Sequence, residues 1–120
     1  MKRILLVDDE EELLSALSER LALRGFEVGF ALDGEQALAR LEACGFDLAV
    51  LDVKMPGLGG LDLMRRMERI CPGMKYIFLT GHGSENDYRL CREAGVCGYL
   101  MKPVAIETLV EQIHAALGGG

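Results

Sequence analysis

The residues able to do chemistry stand at the ends of short apolar runs. The stretch "ILLVDDEEE", residues 4–12, passes from four apolar residues straight into five acids. Asp52 follows the run Leu48–Leu51, Thr80 follows Tyr76–Leu79, and Lys102 follows Val96–Met101. Carboxylates from Asp8, Asp9 and Asp52 brought into one crevice would repel, raising at least one pKa unless a cation neutralised them. That implies a hard divalent ion. Mg2+ takes octahedral oxygen coordination, from one or two carboxylates with waters and phosphate oxygens completing the shell. Such a shell suits phosphoryl chemistry, in which an Asp carboxylate attacks phosphorus to form an aspartyl phosphate and the metal and an ammonium stabilise the transferring oxygens. Lys102 is the candidate ammonium, and the Thr80 hydroxyl a donor to a phosphoryl oxygen.

The elements that must position these residues follow from periodicity. Apolar runs at Ile4–Val7, Val28–Ala31, Leu48–Leu51, Tyr76–Leu79 and Val96–Met101 read as five strands. Between them lie helical stripes: Leu13, Leu17 and Leu21; Ala37, Leu38 and Leu41; a third helix over Leu61–Ile70 closed by Pro72-Gly73; and Leu109, Ile113 and Leu117. The fourth helix, Glu85–Ala94, is polar, with Tyr88, Leu90 and Cys91 as its main apolar groups, and is expected to be weakly anchored. Asp33 with Gln36 and Ser84 with Asp87 have capping-box spacing, and Gly25, Gly45 and Gly95 stand where C-terminal caps belong. Alternating strands and helices with short connections predict an α/β fold, a doubly wound parallel sheet with helices on both faces. Ligand sites in such sheets form beyond the carboxyl ends of the strands, where Asp8, Asp9, Asp52, Thr80 and Lys102 would meet.

Composition narrows the classes. The chain has 120 residues, half of them hydrophobic, which suits one domain, and its net charge of −6 argues against a direct grip on nucleic acid by this chain alone. No apolar stretch has the length of a secretory signal or a membrane span. Cys44, Cys71, Cys91 and Cys97 show no C-x-x-C pair and no metal-like spacing with His82 or His114, so free thiols in a reducing cytoplasm are expected.

"ILLVDDE", "LDVKMPGLGG", "FLTGHGS" and "GYLMKPV" resemble, in order and at the expected strand ends, the marks of the receiver domains of two-component response regulators, over Met1 to about Leu117. The resemblance implies a single receiver domain over 1–120 with the flavodoxin-like strand order 2-1-3-4-5 and five helices. It implies that Asp52 is the phosphoacceptor and that Asp9, Asp52 and the backbone carbonyl of Lys54 are Mg2+ ligands, with Mn2+ as a substitute. Asp8 would contribute through water or from behind the ligands. Thr80 would be the switch hydroxyl, Tyr99 the switch aromatic and Lys102 the phosphate-binding lysine, aimed inward by a cis bond to Pro103. The phosphoryl donor would be a sensor histidine kinase or phosphotransfer protein, docking on the first helix and the loop after strand five. Modification would bias a pre-existing equilibrium, with Thr80 moving, Tyr99 rotating, and the helix 4, strand 5 and helix 5 face changing shape, where a homodimer could also form. The chain would then be a stoichiometric cytoplasmic switch rather than an enzyme, acting on an output domain or effector; "LTGHG" resembles receivers of transcriptional regulators.

Singly, each residue has an ordinary structural account. Asp9 with Glu12 has capping-box spacing, Thr80 is a common strand residue, Tyr99 suits packing and Lys102 a solvated surface. Jointly, those accounts need independent coincidences at four strand ends. An FMN carrier would need a hydroxyl- and glycine-rich loop where "DDEEE" stands, and an Asp-nucleophile phosphohydrolase a second acid at the position of Lys54. A receiver that only docks partners is the remaining alternative. By the resemblance, Lys54 and His82, each two residues beyond a site residue, would flank the path of attacking water, with Lys54 adding positive charge near the phosphoryl group; by themselves both suit a solvated surface. Gly81 and Gly83 leave the approach open and let the loop rearrange.

Overall fold

The computed structural model describes residues 1–41, 45–55, 57–81 and 85–118. Ten elements alternate along the chain: β1 (Arg3–Val7), α1 (Glu11–Leu23), β2 (Glu27–Ala31), α2 (Gly34–Leu41), β3 (Leu48–Leu51), α3 (Gly60–Ile70), β4 (Lys75–Thr80), α4 (Glu85–Glu93), β5 (Gly98–Met101) and α5 (Ile106–Ala116). The strands pair in parallel in the order β2-β1-β3-β4-β5, the expected fold. β5 starts at Gly98 rather than Val96. Val96 spends its amide on the Cys91 carbonyl at the end of α4, at 3.2 Å, and the first bond toward β4 is that of the Cys97 amide to the Tyr76 carbonyl, at 2.8 Å.

Period-two alternation divides the core into two layers. Ile4, Leu6, Leu48, Val50, Ile77 and Leu79 point to α1 and α5 and meet Leu14, Leu17, Leu21, Leu109 and Ile113. Leu5, Val7, Ala49, Leu51 and Phe78 point the other way, to α2, α3 and α4, and meet Ala37, Leu41, Leu63, Met64, Met67 and Cys91. The central strand β3 is buried along its whole length, whereas the edge strand β5 is half-buried and ends exposed at Met101.

Three sequence expectations shift in detail. On α1 the fully buried stripe is Leu14, Leu17 and Leu21, with Leu13 half-buried, because the helix starts at Glu11 and turns position 14 toward the sheet. Asp9 does not cap that helix: the N-cap is Glu10, with no side-chain cap bond, and it is Asp8 Oδ1 that accepts the Glu10 amide, at 2.9 Å. On α2, Asp33 Oδ1 accepts the Gln36 amide at 2.8 Å, but Gln36 Oε1 reaches back to the Leu32 amide rather than closing the box on residue 33. Ser84 lies outside the described residues. Gly25 and Gly95, with φ of 90° and 85°, end their helices in the left-handed region as expected.

The expectation of free thiols holds for Cys91 and Cys97 and fails for Cys71, which is disulfide-bonded. Spacing along the chain could not reveal this, because the fold carries Cys71, just past α3, to the end of α2, where its Sγ lies 3.5 Å from the Leu41 carbonyl oxygen. No helix among the described residues is long and apolar enough to cross a membrane.

Candidate functional site

The register of the sheet builds the site. Val7 pairs with Leu51, so Asp8 and Asp52, one step beyond, emerge side by side; the Asp52 amide donates to the Val7 carbonyl at 3.2 Å. Thr80 pairs with Met101, and the Lys102 amide donates to the Thr80 carbonyl at 2.9 Å, which fixes where the lysine leaves the sheet. The Lys102–Pro103 peptide is cis. Asp8 and Asp52 are buried and Thr80 is fully buried, while Asp9 is exposed at the rim.

Lys102 draws the acids together. Its Nζ lies 2.7 Å from Asp8 Oδ2, 3.1 Å from Glu10 Oε1 and 3.2 Å from Asp52 Oδ2. Burial raises the Asp8 carboxyl above its ordinary range, opposed by Lys102 and the Glu10 amide and reinforced by the charge of Asp52. For Lys102, burial alone would lower the ammonium, but the bonds from Asp8 and Glu10 and the charges of Asp8 and Asp52 prevail and raise it. The lysine therefore stays charged at any working pH.

Asp8, Asp9 and Asp52 each offer one carboxylate oxygen within 4.8 Å of the others. All three donors are hard oxygens, the set a Mg2+-like ion prefers, and one is exposed so that water can complete a shell. The second oxygen of Asp52, Oδ1, accepts the Lys54 amide at 3.0 Å. That bond curls the loop after β3 around the carboxylate and leaves Oδ2 on the lysine side.

Lys54 departs from expectation. Its ammonium does not face the acids but pairs with Asp87 Oδ2 on α4, at 3.3 Å. His82 and Gly83 lie outside the described residues. Gly81 leaves ordinary room beside the lysine, since a Cβ there would stand 3.7 Å from Lys102 Cδ. Tyr99 stacks edge-on against Tyr88 of α4, with ring centroids 5.3 Å apart at 79°. Its hydroxyl is buried and, among the described residues, has no hydrogen-bond partner. Burial raises the Tyr99 pKa, helped by Cys91, Asp87 and Asp52. Tyr99 pairs with Phe78 in the β4–β5 ladder, so Tyr99 and Thr80, two residues past Phe78, project from the same face of the sheet.

Sequence reasoning missed three residues. Glu10 stood in the acid run and could have been found as a third partner of the lysine. Asp87 gave only a helix-start signal. Gly60 gave none, yet a Cβ there would run into the Asp52 carbonyl oxygen, so only glycine lets α3 begin this close to the site.

Residues 4–114 match the sequence profile of the response regulator receiver domain. The chain is 46% identical over 117 residues to the transcriptional regulatory protein CpxR of Klebsiella pneumoniae, covering 98% of this chain and 50% of that protein; it thus spans about half the length of that relative. Among solved structures it is similar to a CheY-like receiver domain protein of Methanospirillum hungatei, with a TM-score of 0.92 and 36% identity over 99% of this chain and 95% of the other. It is also similar to a response regulator protein of Burkholderia pseudomallei solved with a phosphorylated aspartic acid, a calcium ion and citrate, at a TM-score of 0.86 and 28% identity, covering 98% and 66%. With its parallel sheet in the order β2-β1-β3-β4-β5 and its acids and lysine gathered at the carboxyl edge, the chain belongs to the receiver domains of two-component response regulators.

Proposed function

We propose that this chain accepts a phosphoryl group on Asp52 from a sensor histidine kinase or phosphotransfer protein and passes the change to an output domain or effector. The observation that carries the reading is the ammonium of Lys102 lying within 3.2 Å of the carboxylates of both Asp8 and Asp52 in one buried pocket. In the reaction an Asp52 oxygen attacks phosphorus, the bond to the donor nitrogen breaks, and that nitrogen keeps the electron pair. Oδ2 is the candidate attacking atom, since it faces the Lys102 ammonium that would meet the incoming phosphoryl oxygens, while the Lys54 amide holds Oδ1. Lys102 then follows the charge from the carboxylate to the phosphoryl oxygens, which is stabilisation supplied where charge develops. Asp9, Asp52 and the Lys54 carbonyl would hold Mg2+, or Mn2+ in its place, with Asp8 acting through water. When bound, the ion neutralises the carboxylates and polarises the phosphoryl oxygens.

Support comes from two further sides. The Burkholderia neighbour, by its description, carries a phosphorylated aspartic acid and a calcium ion on the same fold. A cleft of about 450 Å3, lined by Leu13, Ala16, Leu17, Pro103 and Val104, opens between α1 and the segment after β5, beside Lys102, where a donor protein would reach the site. The output is inferred to be transcriptional, because relatives such as CpxR and GlrR are named transcriptional regulatory proteins. Thr80 and Tyr99, on one face of the sheet, are the groups through which the modified site would act on the α4, β5 and α5 surface, which would also serve for a homodimer.

The test is intact mass after incubation with acetyl phosphate, with Mg2+ or with EDTA, on wild type and Asp52→Asn. One Mg2+-dependent phosphoryl adduct, removed by hydroxylamine and absent from the variant, is expected. An unmodified wild type would favour a domain that only docks partners.

A further inference from the structure

Glu10 is the N-cap of α1, a place that favours short side chains such as Ser, Thr, Asp and Asn, whose oxygen reaches the free amides of the first turn. The Glu10 side chain makes no such bond. Its Oε1 instead lies 3.1 Å from Nζ of Lys102, 92 positions away in the chain, while the Glu10 amide donates to Asp8 Oδ1 at 2.9 Å. That amide bond pins residue 10 beside the pocket, and the carboxylate reaches the ammonium from the solvent side.

An ammonium has three N–H donors and no acceptor. Lys102 has three carboxylate partners, one for each donor: Asp8 Oδ2 at 2.7 Å, Glu10 Oε1 at 3.1 Å and Asp52 Oδ2 at 3.2 Å. The three are not equal. The Asp8 and Asp52 side chains are 6% and 7% exposed, whereas that of Glu10 is 61% exposed. Depriving a buried carboxylate of its cation is costly, but a carboxylate already in water loses little, so Glu10 is the partner that yields. Glu10 and Lys102 also line together the cleft beside α1 through which a donor would reach the site.

We propose that Glu10 is a placeholder for the phosphoryl group: its carboxylate occupies the solvent-side donor of the Lys102 ammonium in the unmodified protein and must leave before an incoming phosphoryl oxygen can bind there. The proposal rests on the phosphoacceptor reading of Asp52. Both groups are oxygen anions drawn to one N–H, and a phosphoryl group, with about two negative charges and three acceptor oxygens, is the stronger competitor. Displacement is therefore feasible but opposed, and the opposition slows modification by small anionic donors. Glu10 acts on the reaction through the lysine and is in this sense a positioning residue. The sign of its effect separates a placeholder from a support. A side chain that merely oriented Lys102 would slow modification when removed, whereas removal of a placeholder speeds it.

The test is the initial rate of adduct formation with Mg2+ and acetyl phosphate, followed by intact mass where the rate is proportional to donor, on wild type, Glu10→Gln, Glu10→Asp and Glu11→Gln. Glu10→Gln removes the charge at constant length. Glu10→Asp keeps the charge but, one methylene shorter, falls short of the ammonium. Glu11→Gln removes the same charge from a neighbour outside the three partners of the lysine. Both Glu10 variants are expected to be modified roughly threefold faster than wild type, the size of an exposed ion pair, and Glu11→Gln at the wild-type rate. A second readout needs neither donor nor metal: exchange of the Lys102 ammonium protons with water, followed by NMR on protein with 15N-labelled lysine in EDTA. It should quicken in the two Glu10 variants and stay unchanged in Glu11→Gln. Modification unchanged or slowed in the Glu10 variants overturns the placeholder, as does an equal gain in Glu11→Gln, which would mark a general effect of charge. Unchanged ammonium exchange in the Glu10 variants overturns it as well. Absence of an adduct on wild type and all variants instead overturns the phosphoacceptor reading, and the displacement step with it.

Discussion

Nζ of Lys102 lies 3.2 Å from Oδ2 of Asp52, although the two residues stand 50 positions apart in the chain. The same nitrogen is 2.7 Å from Asp8, so a single ammonium spans two carboxylates delivered by two neighbouring strands. A buried carboxylate is tolerated only when paired, and here one cation serves two of them. The balance left over is negative, which is the physical reason the pocket has an appetite for a further cation.

That surplus has a signature in pH. Burial raises the Asp8 carboxyl above its ordinary 3.8, so the folded protein holds this proton more tightly than the unfolded chain. The linked stability is present below 3.8 and is lost as pH rises through the raised value, leaving the full penalty at neutrality. Asp8→Asn removes the ionisation. Urea unfolding in EDTA is expected to find the variant more stable than wild type at neutral pH, by on the order of 1 kcal/mol. The gap should close as the solution is acidified. Added Mg2+ should stabilise wild type by mass action and move the variant less. A variant no more stable than wild type at neutral pH would mean that Lys102 already compensates Asp8 in full.

Gly60 yields a prediction whose sign opposes helix propensity. Glycine to alanine within a helix ordinarily stabilises by about 0.5–1 kcal/mol. At Gly60 the added methyl would collide with the Asp52 carbonyl oxygen and stand 2.8 Å from the Phe78 ring. Gly60→Ala is therefore expected to destabilise by about 1–3 kcal/mol, the range for overpacking. Gly59→Ala is the control, since its Cβ would meet only the Val53 carbonyl oxygen at 3.8 Å, and its unfolding midpoint should barely move. Equal midpoints for the two variants would show that α3 can back away from the site.

The two free thiols among the described residues should separate cleanly. Cys97 is exposed, whereas Cys91 is buried on the inner side of α4 with its thiol pushed up to about 11, by burial first and by the charge of Asp87 second. Two pH units above the ordinary value mean roughly a hundredfold less thiolate at a given pH. Iodoacetamide at mildly alkaline pH is expected to label Cys97 quickly and Cys91 only when α4 opens, as read by peptide mass spectrometry. Comparable rates at the two positions would place α4 off the core much of the time.

Much of the fold was legible because its signals are local. The runs Ile4–Val7 and Leu48–Leu51 are apolar on both faces, which only a strand covered on both sides requires, and both proved buried throughout. Gly25 and Gly95 marked helix ends because left-handed backbone there excludes most other residues. The start of β5 was less legible, because Val96 is an apolar residue whose amide the fold diverts to the Cys91 carbonyl of α4. The Cys71 disulfide was not legible at all, since only the packing of the fold carries Cys71, just past α3, to the end of α2.

For the site, the sequence by itself determined its composition: acids after β1 and β3, a hydroxyl ending β4 and a lysine after β5, all bound to emerge at one edge once the strands run parallel. Only the tertiary structure decided the pairings. Lys102 sits on Asp8, Glu10 and Asp52 while Asp9 stays at the rim, and Lys54 turns its ammonium away from the acids to Asp87. The physical reason is range. Periodicity and capping act over three or four residues, whereas each of these side-chain choices depends on register between strands and on the placement of α4, which no local pattern encodes.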